Sequence, residues 1–385
     1  MKIKSIKVVR IKLPDIKTTK IPDRSSWANF SKRAMPLNYY SEFSRLPQKI
    51  PGNKLDNIWV KTTAEDGTWG IGQCGFGDPV ISFINNIISP LLVGRNCMAI
   101  EYLNDLIMKV SYRFGSSGTA STAMSGVDLA LWDLKGKLMQ QPVYTLLGGP
   151  VRESISCYAT SDDLDWSKEL GFTKFKISNP AHYIEGDSGI REVITHVDNA
   201  RKIIGFDQDL MINPVMSYNV EFALRLLNKI KPYSLRWVEE PLIPTNIDGL
   251  AEIRKKAPWI AIATGEDHHG RHAFLDLVEK KAADILQPDL QWGGGLTEAM
   301  KIHSIGESAG IATIPHGGAN LPFGQHFAMA AVESPMAEFW LGSDPGIPLT
   351  ASIPGTPIPI NGKITPSKEP GFGIEIEEKD IVEKT

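Results

Sequence analysis

The chain has 385 residues, of which 42% are apolar and 22% charged, and it carries a net charge of −3 at neutral pH. That length exceeds one small core and leaves room for a barrel of roughly 250 residues beside a second domain. The composition excludes a disordered chain and the charge leaves no basic footprint for nucleic acid, so a small molecule is the expected partner.

The three cysteines, Cys74, Cys97 and Cys157, are far apart and form no CxxC pair. They suggest neither a disulfide framework nor a zinc knuckle, and they fit a cytoplasmic location. No run is long and apolar enough for a membrane span, so no membrane partner is expected. The first nine residues alternate charged and apolar side chains, which predicts a strand over residues 1–13 rather than a signal peptide.

Residues 14–56 are rich in Pro, Ser, Lys and aromatics and too long for a simple connection, which marks a functional loop. Residues 57–74 read as a hairpin turning at Asp66-Gly67, and residues 80–137 are helical in pattern, so the N-terminal part is an α+β domain. From about residue 171, short apolar runs alternate with amphipathic stretches. The strand candidates are 173–178, 210–213, 235–239, 260–266, 284–289, 312–316 and 338–341. Ala223, Leu226, Leu227 and Ile230 form the apolar stripe of the helix after the second. Repeated βα units predict an α/β fold with a parallel sheet, closed as a barrel or open and doubly wound. The tail from about residue 345 returns to extended chain and turns, with Pro354, Pro357, Pro359 and Asn361-Gly362.

Asn213, Glu239, Glu266, Asp289, His316 and Glu338 stand at the ends of these runs at steps of 22 to 27 residues, about one βα unit. On a barrel such residues converge at the C-terminal rim, where active sites lie. Asn213, Glu239 and Glu266 offer three oxygen donors on neighbouring strands, which suits Mg2+. Each alone would read as a solvated strand-end side chain; three in register, each closing an apolar run, point to a metal site. Asp289 is placed to fix the tautomer of His316 and raise its basicity, making a general base. A base facing a hard cation suits removal of the proton next to a carboxylate. Glu338, if protonated, would hydrogen-bond the resulting enediolate. Glu240, Asp267, His268 and His269 adjoin the same ends; Glu240 reads equally well as the partner of a lysine.

The runs SGVDLALWDLKGK (125–137), PVYTLLGG (142–149), WVEEP (237–241), GE (265–266), QPD (287–289), GGLTE (294–298) and PGFG (370–373) together resemble the enolase superfamily. Within it the chain resembles the mandelate-racemase-like branch, and there the L-rhamnonate dehydratases. The resemblance implies a (β/α)8-type modified TIM barrel over residues 131–344, with an N-terminal α+β capping domain over residues 1–130 completed by the tail 345–385. It also implies a homo-oligomer that uses Mg2+ held by Glu239 and Glu266, with His316 as base, Asp289 its assistant and Glu338 a transition-state stabiliser. The implied reaction removes the C2 proton of a sugar acid and expels the C3 hydroxyl, giving a 2-keto-3-deoxy acid.

Two positions depart from the branch. Asn213 stands where the first metal ligand is usually Asp, which lowers the site's negative charge and leaves open a catalytically impaired, sugar-acid-binding relative. The Lys-x-Lys pair of racemases falls on Lys176 and Ser178, so the second-face base is missing and a racemase or epimerase loses weight. Lys176 is either a contact for the substrate carboxylate or the partner of a strand-end acid. In the capping loop, Arg24, Trp27, Arg33, Arg45 and Lys49 are candidate substrate contacts, with Trp27 and Arg45 preferred.

Overall fold

The computed structural model describes residues 1–13, 19–30, 32–43 and 58–383. The alternating N-terminal run becomes β1 (Ile3–Ile11), which buries Ile3, Ile6, Val8 and Val9. It pairs antiparallel with β2 (Ile58–Ala64), and β2 pairs with β3 (Trp69–Cys74) through the Asp66-Gly67 turn, where Asp66 Oδ1 accepts from the Thr68 N–H. The helix Thr119–Met139 lies against β3 so closely that only glycine fits between them. A Cβ on Gly70 would stand 2.2 Å from the Leu134 nitrogen, and one on Gly72 2.3 Å from the Gly126 oxygen.

That helix is buried along most of its length and runs unbroken through residue 130, where the sequence reading divides the domains; we propose that the joint between the domains lies in the connection from residue 140 to residue 154. Its polar residues are the rivets of the joint. Asp133 accepts from the Ile71 and Phe372 N–H groups, and Asp128 accepts from the Thr297 N–H, the Thr297 hydroxyl and Asn104. Burial pushes the Asp128 carboxyl up to about 7. The folded chain therefore holds a proton that the unfolded chain has already lost, and this contribution to stability is present at low pH and fades as pH rises from about 4 to about 7. The thermal midpoint of Asp128→Asn should fall less than that of the wild type between about pH 5 and about pH 7.5; an equal fall would contradict this account of the joint.

Eight strands follow: β4 (Ile155–Thr160), β5 (Lys174–Ser178), β6 (Asp209–Asn213), β7 (Trp237–Glu239), β8 (Ala261–Thr264), β9 (Ile285–Leu286), β10 (Ala312–Thr313) and β11 (Ala337–Trp340). They are parallel, neighbours in sequence pair in turn from β4 to β10, and β11 returns to pair with β4. Between β10 and β11 the ring is bridged by Thr313 N–H donating to the Glu333 carbonyl and Ala319 N–H to that of Glu338. The fold is thus an α/β, (β/α)8-type barrel with an N-terminal α+β cap. Inward-facing Tyr158, Met211, Trp237, Ala263, Ile285, Ile314 and Met336 pack its centre.

The expected stripe is buried on the helix Val220–Ile230, whose Asn219 caps it by accepting from the Phe222 N–H. Strands β9 and β10 are shorter than the sequence suggests, because Pro288 and Pro315 have no N–H for the ladder. The tail adds β12 (Lys363–Ile364) beside β4 and β13 (Ile381–Glu383) beside β1, returning to the N-terminal sheet. No helix of the described residues is long and apolar enough to cross a membrane.

Candidate active site

At the C-terminal mouth of the barrel opens a cavity of about 1000 Å³ lined by Lys176, Asn213, Glu266, Asp289, His316 and Glu338, with a further wall from residues 340–358. Of the six strand-end residues, five therefore meet there, and the sixth, Glu239, is buried; Glu240, Asp267, His268 and His269 do not line the cavity.

The floor is a charge network around Lys176. Its ammonium is 2.7 Å from Glu338 Oε1 and also donates to Glu239 Oε1. Burial would lower the pKa of this lysine, but the charges of Glu239 and Glu338 outweigh it and hold the group protonated. Glu239 is saturated: Oε1 also accepts from Asn213 Nδ2 at 2.9 Å, and Oε2 accepts from Trp237 Nε1 at 3.1 Å and Gln287 Nε2 at 2.8 Å. The Asn213 amide thus turns its N–H side to Glu239, while its oxygen accepts from the Val215 N–H.

Glu338 differs from the sequence expectation. Burial would raise its carboxyl, but the charges of Lys176 and His316, with hydrogen bonds from Lys176 and from Thr160 Oγ1 at 2.5 Å, bring it down to about 2. Its other oxygen accepts from the Gly317 N–H at 2.9 Å. In this arrangement both Glu338 oxygens accept, and the shared lysine favours the ionised form over the protonated donor that the sequence reading calls for.

His316 stands opposite. Its Nδ1 lies 2.7 Å from Asp289 Oδ2, and Asp289 is itself held by the N–H groups of Gln291 and Trp292 on Oδ1. Nε2 is thereby the end presented to the cavity, 3.6 Å from Glu266 Oε2. Burial would lower this imidazole, but Glu266, Asp289 and Glu338 together hold it well above the ordinary histidine value. The Trp292 ring lies 5.3 Å from that of His316, and Phe76 from the cap lies 5.3 Å from Trp292.

The cluster of carboxylates is larger than the sequence suggested. Ligand oxygens of Glu240, Glu266 and Asp267 lie within 4.8 Å of one another. Burial pushes Glu266 up to about 7 against the charge of His316, with Glu239 adding to the rise, and burial and the charges of Glu266 and Asp267 push Glu240 well above its ordinary value. Glu240 Oε2 is buried and has no hydrogen-bond partner among the described residues, so the reading of Glu240 as a lysine's partner does not hold. Crowded hard oxygen donors and a buried orphan oxygen fit a hard divalent cation such as magnesium. Glu240 and Asp267 were visible in the sequence only as neighbours of the strand ends; their convergence comes from the backbone, with Glu240 at a φ of 43°.

Of the capping-loop candidates, Trp27 lies outside the cavity lining: its backbone N–H donates to Asp163 Oδ1, and its ring stands 6.1 Å from His196. Arg24 pairs with Asp165 and Glu169, and Arg33 is exposed. Arg45 and Lys49 lie outside the described residues. Sequence reasoning missed Thr160, which donates to Glu338, and gave no role to Gln287, which donates to Glu239; Thr160 ends a strand, ISCYAT, whose mixed polar run carries little periodicity.

A capped (β/α)8 barrel with a histidine–aspartate pair facing clustered carboxylates across its C-terminal mouth defines an acid–base site of the enolase type. Residues 162–380 match the enolase C-terminal domain-like model and residues 53–148 the N-terminal domain of mandelate racemase and muconate lactonizing enzymes. The chain belongs to this enolase-superfamily group, on the mandelate-racemase side. It is 34% identical to the L-rhamnonate dehydratase of Saccharopolyspora erythraea over 348 residues, 89% of each chain. The crystal structure of L-rhamnonate dehydratase from Gibberella zeae matches with a TM-score of 0.89 at 28% identity, covering 99% of this chain and 96% of that one, and a second structure of that enzyme, complexed with Mg, matches equally. The 3,6-anhydro-D-galactonate cycloisomerase from Zobellia galactanivorans matches with a TM-score of 0.77 at 25% identity over the whole of both chains.

Proposed function

We propose that this chain is a magnesium-dependent sugar-acid dehydratase that converts L-rhamnonate or a close relative to the 2-keto-3-deoxy acid. The observation that carries this reading is the single base: His316, oriented by Asp289, presents Nε2 to a cavity with clustered carboxylates on its wall. The dehydratase names of relatives similar over nearly the whole chain support it.

His316 Nε2 takes the C2 proton, and the same imidazolium returns a proton to the departing C3 hydroxyl, so water leaves and the enol becomes the 2-keto acid. Asp289 keeps the proton on Nδ1 throughout. Lys176, charged and at the cavity floor, receives the substrate carboxylate. The residues that would hold magnesium are Glu239, Glu266 and the Asn213 amide oxygen, beside Glu240 and Asp267; when bound, the ion would supply positive charge against the charge that develops on the substrate carboxylate and would offset Glu266, one of the carboxylates that raise His316. Turning the Asn213 amide would release one of the four donors on Glu239 and bring an oxygen round. Ser178, level with Asn213 across the β5–β6 ladder, gives its hydroxyl to Asp162 and offers no base on the second face.

A panel of sugar acids incubated with magnesium-loaded protein, with 2-keto acids trapped by semicarbazide, tests the reading. Product is expected from L-rhamnonate and its close relatives. Binding without product from any acid would instead favour a catalytically impaired relative, weakened at Asn213.

A further inference from the structure

All nine tryptophans lie among the described residues, and Trp340 alone is exposed, at 55%. A large aromatic surface left in water forgoes the stabilisation that burial gives it, yet this residue is held in place by two neighbours, one on its backbone and one under its ring. The Asn320 side chain clamps its backbone twice, Nδ2 donating to the Trp340 carbonyl at 2.9 Å and Oδ1 accepting from its N–H at 2.7 Å. The indole lies on Gly342, where a Cβ would come within 2.7 Å of Cζ3 and 3.2 Å of Cη2. Gly342 is not among the residues with positive φ, so the glycine is there for room and not for its backbone.

Trp340 lines the same cavity as His316 and Glu338, and Leu321, Ile347 and Leu349 add apolar side chains to that lining. It follows Glu338 by two residues on β11 and so shares its face of the strand, about 6.6 Å further out. An extended six-carbon acid with C1 and C2 at Lys176 and His316 spans a similar reach. We propose that Trp340 is an aromatic shelf that receives the C–H face of the distal carbons and selects an acid ending in a methyl group over one ending in a hydroxymethyl group. This rests on the dehydratase reading for which end of the acid lies at His316.

The test compares L-rhamnonate with its 6-hydroxy counterpart, L-mannonate, on magnesium-loaded wild type, Trp340→Ala, Trp340→Phe and Gly342→Ala, with kinetics and calorimetric dissociation constants for both acids. Trp340→Ala should raise KM and Kd for L-rhamnonate roughly tenfold, and those for L-mannonate threefold or less, with kcat within about threefold of wild type. Trp340→Phe should restore most of the discrimination, and Gly342→Ala, which displaces the ring, should reduce it. Unchanged constants, an equal loss for both acids, or a loss that follows a change in oligomer mass by sedimentation would overturn the proposal. If wild type binds the acids without turning them over, the dehydratase reading fails while the two Kd values still decide the shelf. A wild type that binds neither acid overturns both.

Discussion

His316→Asn should reduce turnover of the sugar acid by at least roughly 10²- to 10⁴-fold, the usual contribution of a positioned acid–base group, while calorimetric titration shows magnesium binding retained. Asparagine can still donate to Asp289, so the wall of the cavity keeps its shape, but it offers no nitrogen able to carry the proton from C2 to the C3 hydroxyl. Because one imidazole serves both steps, no partial reaction is expected to survive. Retained turnover would remove His316 from the chemistry, and loss of magnesium binding would mean that its charge on Glu266, 3.6 Å away, was structural.

Asn213→Asp should act in opposite directions with and without magnesium. In the metal-free protein the new carboxylate faces Glu239, which now accepts from the Asn213 amide at 2.9 Å, so a hydrogen bond becomes a like-charge contact and the thermal midpoint falls. With magnesium present the added charge should tighten binding roughly tenfold or more, since a unit charge a few ångströms away is worth on the order of a kcal/mol even when well screened. Calorimetry and thermal melts at matched magnesium concentrations check both signs. Unchanged affinity would place the cation away from Asn213, toward Glu240 and Asp267.

The βα repeat was legible because its signal is periodic, and the family resemblance chose the barrel over an open sheet: apolar runs one βα unit apart, each closed by a polar residue, survive as pattern however the chain is packed. Five of the six polar residues so marked line the cavity, and the sixth is buried. Strand β4 escaped because Ile155–Thr160 mixes Ser, Cys and Thr with its apolar residues. Protonation states were not legible at all. Whether Glu338 is a donor depends on Lys176 sharing its oxygen, and that contact joins residues 162 positions apart in the chain. The same holds for Glu240, whose orphan oxygen follows from a local backbone turn and from the carboxylates of the next strand. Distance in sequence hides such couplings, whereas spacing alone suffices to place side chains on a common rim.

The most direct measurement is proton NMR of L-rhamnonate with the magnesium-loaded protein in deuterated water. A single-base dehydratase predicts loss of the C2 and C3 carbinol signals together, with growth of a 2-keto-3-deoxy acid that carries solvent deuterium at C3. Exchange of the C2 proton with the C3 hydroxyl retained would contradict it and make the chain an isomerase.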